Sequence, residues 1–256
     1  MTIGQIHKPL HTDETAAKVI EWYPTDTEEN FRELMKNHDY ASYFISRGWD
    51  KPGSILYRLN SQGFRGDEFD SEQPNLVALG DSFSFGIGLP QEDTWPELVG
   101  KKLGLRVHNL SIPGCSADRC FALAEYWLPI LRPQKVFMLT PCRGRLDVIL
   151  ENGHHETVMP SDVYDGCLGL DQGLYYKKWV AQEQNSWVNL RRNEAAIAGL
   201  CASLNIEVCV FRADESFSRS REEIGFARDC MHAGPLGHEI LADNLMGIRS
   251  DYRRYY

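Results

Sequence analysis

Short apolar runs alternate with amphipathic stretches along the central part of the chain. The stretch 187–204 has helical spacing, with apolar residues on one stripe that include Ile197, Leu200, Cys201 and Leu204. Short strands that alternate with helices are typical of a parallel sheet covered on both faces. We therefore predict an α/β fold, a three-layer α/β/α sandwich around a mainly parallel sheet. The apolar runs that predict its strands lie at about 76–79, 106–110, 136–140 and 208–211.

Local signals indicate where two of the helices begin and end. Thr94 and Glu97 have the spacing of a capping box, and Gly104 lies where that helix would stop. Ser116 is placed to cap a second helix that runs toward Leu131. The sequence therefore predicts one helix from about Thr94 to Gly104 and another from Ser116 to Leu131.

The regular pattern begins only after residue 74. Residues 1–74 are mostly polar and irregular, apart from a predicted helix near 28–36. The stretch at about 143–184 also interrupts the alternation, with glycines, histidines and aromatic residues. We interpret residues 75–256 as one domain with an insertion at 143–184, and residues 1–74 as an N-terminal extension packed on it. The insertion either shapes a substrate pocket or is a plain surface excursion.

Composition and charge narrow the classes of function. The chain has 256 residues, of which 43% are hydrophobic and 25% charged, as in ordinary folded proteins. Its formal net charge of −9 disfavours binding to nucleic acid or to an anionic membrane surface. Since no secretory signal and no membrane-spanning run is visible, we expect a cytoplasmic protein. The 7 cysteines lack paired C-x-x-C spacing, which favours reduced thiols over a zinc site.

A serine directly follows the first predicted strand of the sheet. The apolar run 76–79 stops at Gly80, Asp81 and Ser82, where small residues permit a tight turn that exposes a hydroxyl and backbone N–H groups. This end of a parallel strand lies at the edge where such sheets bind ligands. Taken alone, the pattern fits equally well a turn in which Asp81 or Ser82 caps the following helix.

A serine nucleophile needs a base, and the base needs a group that orients it. Asp229 precedes His232 by three residues, so its carboxylate can fold back in a turn and accept a hydrogen bond from the imidazole. An isolated pair of this kind is more often a simple loop hydrogen bond. The combination with Ser82 is much rarer, and it favours a triad of Ser82, His232 and Asp229.

These motifs resemble those of the GDSL/SGNH hydrolase superfamily of serine esterases. The likeness runs from about Asn60 to Leu245 and leaves the extreme N-terminus uncovered. The matching segments are Gly-Asp-Ser at 80–82, Asn-Leu-Ser-Ile-Pro-Gly at 109–114, Asp-x-x-His at 229–232, the following Gly-Pro-x-Gly-His at 234–238, and Asn-Ser-Gln-Gly-Phe-Arg-Gly at 60–66.

The resemblance implies both a fold and a site. It implies a flavodoxin-like central sheet and a catalytic triad of Ser82, Asp229 and His232. It also implies an oxyanion hole in which the backbone N–H groups of Ser82 and Gly114 donate to the substrate oxygen.

The chain departs from the family pattern after the third strand. Members usually carry Gly-x-Asn there, with an asparagine side chain that donates to the oxyanion, whereas residues 140–143 read Thr-Pro-Cys-Arg. Because Cys142 is a weak donor, Arg143 or Arg145 is a candidate replacement, with a surface cation as the alternative for Arg143. An arginine near Ser82 would favour an enzyme, and two solvent-facing arginines would favour a binding role.

Other candidate sites are weaker. His154, His155 and Glu156 lack a convincing set of metal ligands, and the loop at 80–88 lacks the phosphate-binding fingerprints. His238 is expected on the face of the last helix. We ascribe Tyr175, Tyr176, Trp179 and Trp187 to helix packing rather than to a carbohydrate or acyl pocket. No metal and no organic cofactor is therefore expected.

The expected reaction is hydrolysis of a carboxylic ester through an acyl-enzyme on Ser82. The resemblance suggests short-chain or carbohydrate O-acetyl esters, so the expected partner is a small-molecule or carbohydrate ester. Two alternatives stay open. The same triad can transfer the acyl group to another alcohol, or the chain can be a binding module that keeps the fold without efficient chemistry.

Overall fold

The computed structural model describes residues 16–149, 155–159, 177–178, 182–212 and 225–247. None of the helices in these ranges is long and apolar enough to cross a membrane. The cysteines in these ranges form no disulfide bond. The strands are β1 (Val19–Ile20), β2 (Tyr57–Arg58), β3 (Asn75–Leu79), β4 (Arg106–Asn109), β5 (Lys135–Thr140), β6 (Leu146–Ile149), β7 (His155–Val158) and β8 (Glu207–Arg212). The α-helices are α1 (Glu28–Leu34), α2 (His38–Arg47), α3 (Ser82–Phe85), α4 (Trp95–Leu103), α5 (Ala117–Leu131), α6 (Glu183–Ser203) and α7 (Pro235–Leu245).

Four parallel strands form the central sheet, in the order β4-β3-β5-β8. Numbered along the chain, these strands have the order 2-1-3-4, with which flavodoxin-like sheets begin. Strand β3 is buried along its whole length, as expected for a central strand covered on both faces. The predicted α/β fold with a mainly parallel, flavodoxin-like sheet is confirmed.

Helices cover both faces of this sheet. Leu76 and Ala78 of β3 pack in a cluster with side chains of α4 and α7. Val77 and Leu79 pack in a second cluster with side chains of α5 and α6, among them Ile197. Neighbouring residues face opposite layers because side chains alternate along a strand. The predicted three layers follow directly from this alternation.

The start of α4 differs from the predicted capping box. The Thr94 hydroxyl donates to the carbonyl oxygen of Gln91, and the Glu97 carboxylate accepts from the Gln91 side chain. The first N–H of the helix, that of Trp95, is accepted by Nδ1 of His238 at 3.0 Å. Burial lowers the pKa of His238 to about 3, so the ring is neutral and Nδ1 can accept. The His238 side chain, from α7, therefore caps α4 in place of Thr94, for which the sequence spacing predicted this role.

The N-terminal extension contains more structure than the sequence pattern predicted. Helix α1 overlaps the helix predicted near 28–36, but α2 was not predicted. The prediction of an otherwise irregular segment was wrong, because Tyr40, Tyr43 and Phe44 have the i, i+3, i+4 spacing of a helix, which was overlooked among polar residues. Aromatic residues recur along the whole extension. They join the extension to the chain just after α3 in a cluster of buried side chains that includes Tyr23, Phe31, Phe44, Trp49, Tyr57, Phe85 and Leu89.

A buried ion pair also fastens the extension to the C-terminal part of the chain. Nε and Nη2 of Arg228 donate to the two carboxylate oxygens of Asp26 at 2.9 and 2.7 Å. The Tyr57 hydroxyl donates to the same carboxylate and accepts the N–H of Gly88 at 2.8 Å. Two charges are tolerated away from water here because they are paired and further hydrogen-bonded. Since Arg228 directly precedes Asp229, this pair holds the extension beside a predicted site residue.

Part of the predicted insertion forms an antiparallel hairpin of β6 and β7. Asp147 of β6 accepts the hydroxyl of Thr157 at 2.8 Å and lies 3.7 Å from Nε of Arg119 in α5. The first contact joins the two strands of the hairpin, and the second holds the hairpin against α5. The remaining residues that the sequence singled out in this region, Gly153, His154, Pro160, Asp165, Gly166, Gly173, Tyr175, Tyr176 and Trp179, lie outside the described residues.

Candidate active site

Ser82 lies where the chain passes from β3 into α3. Glycine is needed at position 80, because a Cβ atom on Gly80 would lie 2.2 Å from Oγ of Ser84. The Asp81 carboxylate caps α3 by accepting the N–H of Phe83 at 3.2 Å. The sequence left open whether Asp81 or Ser82 caps this turn, and the capping side chain is Asp81. The Ser82 hydroxyl has a different partner.

That partner is His232, from the loop before α7. Oγ of Ser82 lies 2.8 Å from Nε2 of His232, and Nδ1 of the same ring lies 2.6 Å from Oδ2 of Asp229. The three residues are buried, so solvent screens these contacts little. The Phe83 ring packs edge to face against the imidazole, with centroids 4.9 Å apart. The structure thus brings together the three residues that the sequence predicted to form a triad.

The Asp229 carboxylate accepts hydrogen bonds on both oxygens. Oδ1 accepts the N–H groups of Met231 and His232 at 3.0 and 3.1 Å, which closes the turn between Asp229 and His232. Oδ2 accepts from the His232 ring and, at 2.7 Å, from the Thr25 hydroxyl. Burial alone raises the pKa of Asp229, but hydrogen bonds from His232, Thr25 and Met231, with the charge of His232, lower it below its usual value. The carboxylate is therefore ionised at neutral pH and can stabilise a positively charged imidazolium.

A buried arginine fixes the end of α3 opposite Ser82. Arg65 donates to the carbonyl oxygens of Phe85, Gly86 and Leu89 at 2.9, 2.5 and 2.7 Å. The last carbonyl groups of a helix lack donors of their own, and this guanidinium supplies them. Burial lowers the pKa of Arg65 to about 10, so the group stays charged at neutral pH. The resemblance covered the segment 60–66, but nothing in the sequence assigned this role to Arg65.

Two loops adjoin at the carboxyl end of β3. The carbonyl oxygen of Gly80 accepts the N–H of Ile112 and the thiol of Cys115, each at 3.1 Å. Gly114 lies between these two residues with a φ of 77°, a conformation that favours glycine. Within the described ranges, the N–H groups of Ser82 and Gly114 have no hydrogen-bond acceptor. Two such donors on adjoining loops suit an oxyanion hole, the role that the resemblance implies for them.

Arg145 joins these two loops. Its Nη1 donates to Oδ2 of Asp81 at 2.7 Å and to the carbonyl oxygen of Cys115 at 3.3 Å. The Asp81 side chain is 3% exposed, so the ion pair is shielded from water. Arg145, one of the two candidate replacements for the family's asparagine, therefore lies beside Ser82 and Gly114. By the criterion set from the sequence, this placement favours an enzyme over a binding module.

Arg143, the other candidate, is engaged elsewhere. Its Nη1 donates to Glu183 at 2.9 Å, and its guanidinium carbon lies 4.8 Å from the ring centre of Trp187. The side chain is 47% exposed, as expected of a surface cation. These contacts therefore do not support Arg143 as a donor in an oxyanion hole. The alternative, a surface cation, describes it better.

The end of the β6–β7 hairpin lies over the loop that carries Gly114. A Cβ atom on Gly114 would lie 3.0 Å from Cε of Met159, so the methyl group of Met159 is close to the Gly114 backbone. The hairpin therefore places an apolar methyl group beside the backbone of Gly114. Among the described residues, no group of three or more His, Cys, Asp or Glu side chains is arranged to hold a metal ion.

No family model matches the chain, and no curated protein matches it in sequence. Solved structures resemble it at low identity. The crystal structure of TesA shares 17% identity at a TM-score of 0.41, over 67% of this chain and 96% of TesA. A proposed lipolytic protein of the G-D-S-L family from Desulfitobacterium hafniense DCB-2 shares 15% identity at a TM-score of 0.37, over 68% of this chain and 99% of that protein. A catalytic mutant of Axe2, an acetylxylan esterase from Geobacillus stearothermophilus, shares 13% identity at a TM-score of 0.35, over 72% of this chain and 96% of Axe2. The solved structures that resemble this chain thus include lipolytic hydrolases and acetylxylan esterases, and the TM-scores of these three lie below 0.5.

Proposed function

We propose that this protein is a serine esterase that hydrolyses carboxylic esters through an acyl-enzyme on Ser82. The observation that carries the proposal is the continuous hydrogen-bonded chain from Ser82 through His232 to Asp229, with distances of 2.8 and 2.6 Å. Each contact has the length needed for proton transfer or for orientation of the base. A loop hydrogen bond between Asp229 and His232 alone would not require the serine hydroxyl at Nε2.

The proposed reaction has two stages. Oγ of Ser82 attacks the acyl carbon while Nε2 of His232 takes the serine proton, and the ester C–O bond then breaks as His232 gives that proton to the leaving alcohol. Water next attacks the acyl carbon and gives one proton to His232; the bond between the acyl carbon and Oγ then breaks as His232 returns that proton to Oγ, and the carboxylic acid leaves. Asp229 holds the ring and stabilises its positive charge in both stages. The Ser82 and Gly114 N–H groups donate to the oxyanion.

Covalent labelling tests the proposed nucleophile directly. We expect a fluorophosphonate probe to label the native protein and p-nitrophenyl acetate to be hydrolysed. Fragmentation of the labelled peptide should place the adduct on Ser82. Ser84 lies two residues away on the same helix and is buried without contact to His232, so it provides an internal comparison. Labelling of Ser84, or neither labelling nor hydrolysis, would contradict the proposal and favour the binding module.

The Met159 methyl group is proposed to limit the length of the acyl chain. Because it lies close to Gly114, it occupies space beside the position that an acyl carbonyl would take. We expect Met159→Ala to raise kcat/KM for p-nitrophenyl butyrate relative to the acetate by about tenfold, as typical for added methylene groups in an enlarged apolar site. Val148→Ala, at an exposed position of the same hairpin, should leave this ratio unchanged. An unchanged ratio in Met159→Ala would show that another group limits the acyl chain.

Arg145 is proposed to hold the loops that carry Ser82 and Gly114 in a fixed position relative to each other. Both hydrogen bonds come from Nη1 of Arg145, and Arg145→Lys keeps a cation for Asp81 but replaces the fixed directions of these two N–H bonds by a freely rotating ammonium group. We expect kcat for p-nitrophenyl acetate to fall about tenfold, because two donors set slightly apart stabilise an oxyanion less well. Arg143→Lys is the matched comparison and should keep the native kcat. Equal effects of the two substitutions would exclude a specific part for Arg145.

A further inference from the structure

Thr25, in the N-terminal extension, contacts the same atom that orients His232. Its hydroxyl donates to Oδ2 of Asp229 at 2.7 Å, although the two residues are 204 positions apart in the sequence. Oδ2 is also the oxygen that accepts the Nδ1–H of His232 at 2.6 Å. One carboxylate oxygen therefore receives one donor from each end of the chain.

The backbone at Thr25 has a conformation that its residue type disfavours. Its φ is 73°, in the left-handed region, where a β-branched residue is a true outlier. Strain of this kind persists where surrounding contacts impose it, and it clusters at functional sites. Nδ2 of Asn30 donates to the carbonyl oxygens of both Thr25 and Asp229, at 3.1 and 3.2 Å. The strained residue and the carboxylate residue are thus linked twice.

The turn that carries Thr25 is also anchored apart from its contact with Asp229. The Tyr23 N–H donates to the carbonyl oxygen of Asp26 at 3.1 Å, which closes the turn around Thr25. The Asp26 side chain forms the buried ion pair with Arg228. Because these contacts hold residues on both sides of Thr25, its backbone is positioned without help from the Asp229 side chain.

We propose that Thr25 is a positioning residue, whose hydroxyl, together with the two N–H groups that bind Oδ1, fixes the rotation of the Asp229 carboxylate so that Oδ2 faces His232. This inference deepens the proposed esterase function and rests on it. Without the hydroxyl, the imidazole is the remaining donor to Oδ2, and the carboxylate is held less firmly about its Cβ–Cγ bond. The loss affects the stabilisation of the imidazolium that forms during the reaction, and not the binding of the ester. The effect should therefore fall on kcat.

Thr25→Val removes the hydroxyl with little other change. Valine is also β-branched, so the backbone strain stays the same, and its methyl group keeps water from taking the place of the hydroxyl beside Oδ2. We expect kcat for p-nitrophenyl acetate to fall about tenfold, with KM within about twofold of the native value. Thr25→Ser keeps a hydroxyl and should retain the native kcat. In the matched control Thr27→Val, the lost hydroxyl accepts the Asn30 N–H at 3.1 Å instead of donating to Asp229, so kcat should also be retained.

Proton NMR of the His232 Nδ1–H supplies a readout that does not depend on turnover. The resonance is assigned by its loss in His232→Gln. We expect it to shift in Thr25→Val, because the second donor to Oδ2 is gone, and to keep its native position in Thr25→Ser and Thr27→Val. An unshifted resonance in Thr25→Val, or an equal shift in Thr27→Val, would overturn the proposal. If the native protein hydrolyses no ester while the resonance shifts as expected, the esterase function fails and the positioning by Thr25 stands.

Discussion

Replacement of Ser82 by alanine is expected to lower kcat for p-nitrophenyl acetate by about 10⁴ to 10⁶. The hydroxyl lies 2.8 Å from Nε2 of His232, and no other side chain can take its place in the covalent step that we propose. The residual rate would come from ester bound beside the Ser82 and Gly114 N–H groups and attacked by water. Steady-state kinetics and fluorophosphonate labelling of the same preparations measure the loss.

Ser84→Ala is the matched control for this substitution. Ser84 lies on the same short helix, and its Oγ accepts the indole N–H of Trp95 at 3.3 Å, so the change lowers stability without reaching His232. We expect its kcat to stay within about threefold of the native value. A Ser82→Ala protein that keeps native turnover would refute the acyl-enzyme, and a similar loss in both variants would indicate damage to the helix instead.

Asp229→Asn is expected to lower kcat by about 10⁴ while the protein stays folded. The N–H groups of Met231 and His232 require an oxygen at Oδ1, so the new amide nitrogen must occupy the place of Oδ2. There it faces Nδ1 of His232 as a second donor, and the ring must keep its proton on Nε2 instead. An imidazole in this tautomer cannot accept the proton of Ser82. The pairing with Thr25 survives, because a hydroxyl can also accept from an amide.

Asp39→Asn, at an exposed position of α2, is the control for the loss of one negative charge. Its kcat should be native. Thermal unfolding of both variants separates a chemical from a structural effect, since Asp229→Asn should keep a cooperative transition. A loss of less than tenfold in Asp229→Asn would mean that His232 is oriented by other contacts.

The sequence was sufficient to predict the sheet and the proximity of Ser82, His232 and Asp229. The strands were visible because a strand covered on both faces needs an unbroken apolar run, as in 76–79. The site followed because the carboxyl ends of parallel strands meet at one edge of the sheet. The three-residue spacing of Asp229 and His232 also restricts them to one turn. Local pattern and topology are the physical sources of these predictions.

The contacts that the sequence could not predict join residues far apart in the chain. The imidazole of His238 caps α4, Arg65 binds carbonyl groups after Ser82, and Thr25 binds Asp229. No period or short spacing marks such partners, because they are set by tertiary packing. The sequence could not decide between Arg143 and Arg145 for the same reason. Each arginine had an acidic partner, and only the fold determined which partner lay beside the nucleophile.

The link between Thr25 and Asp229 has a consequence for the order in which the site forms during synthesis. A ribosome releases the segment around residue 25 long before the segment around residue 229, and 150 positions separate Ser82 from His232. The nascent chain can therefore build strands β3 to β5 while the serine still lacks its base. Activity should therefore appear late in synthesis and all at once, when the segment around Asp229 and His232 packs against the turn that carries Thr25.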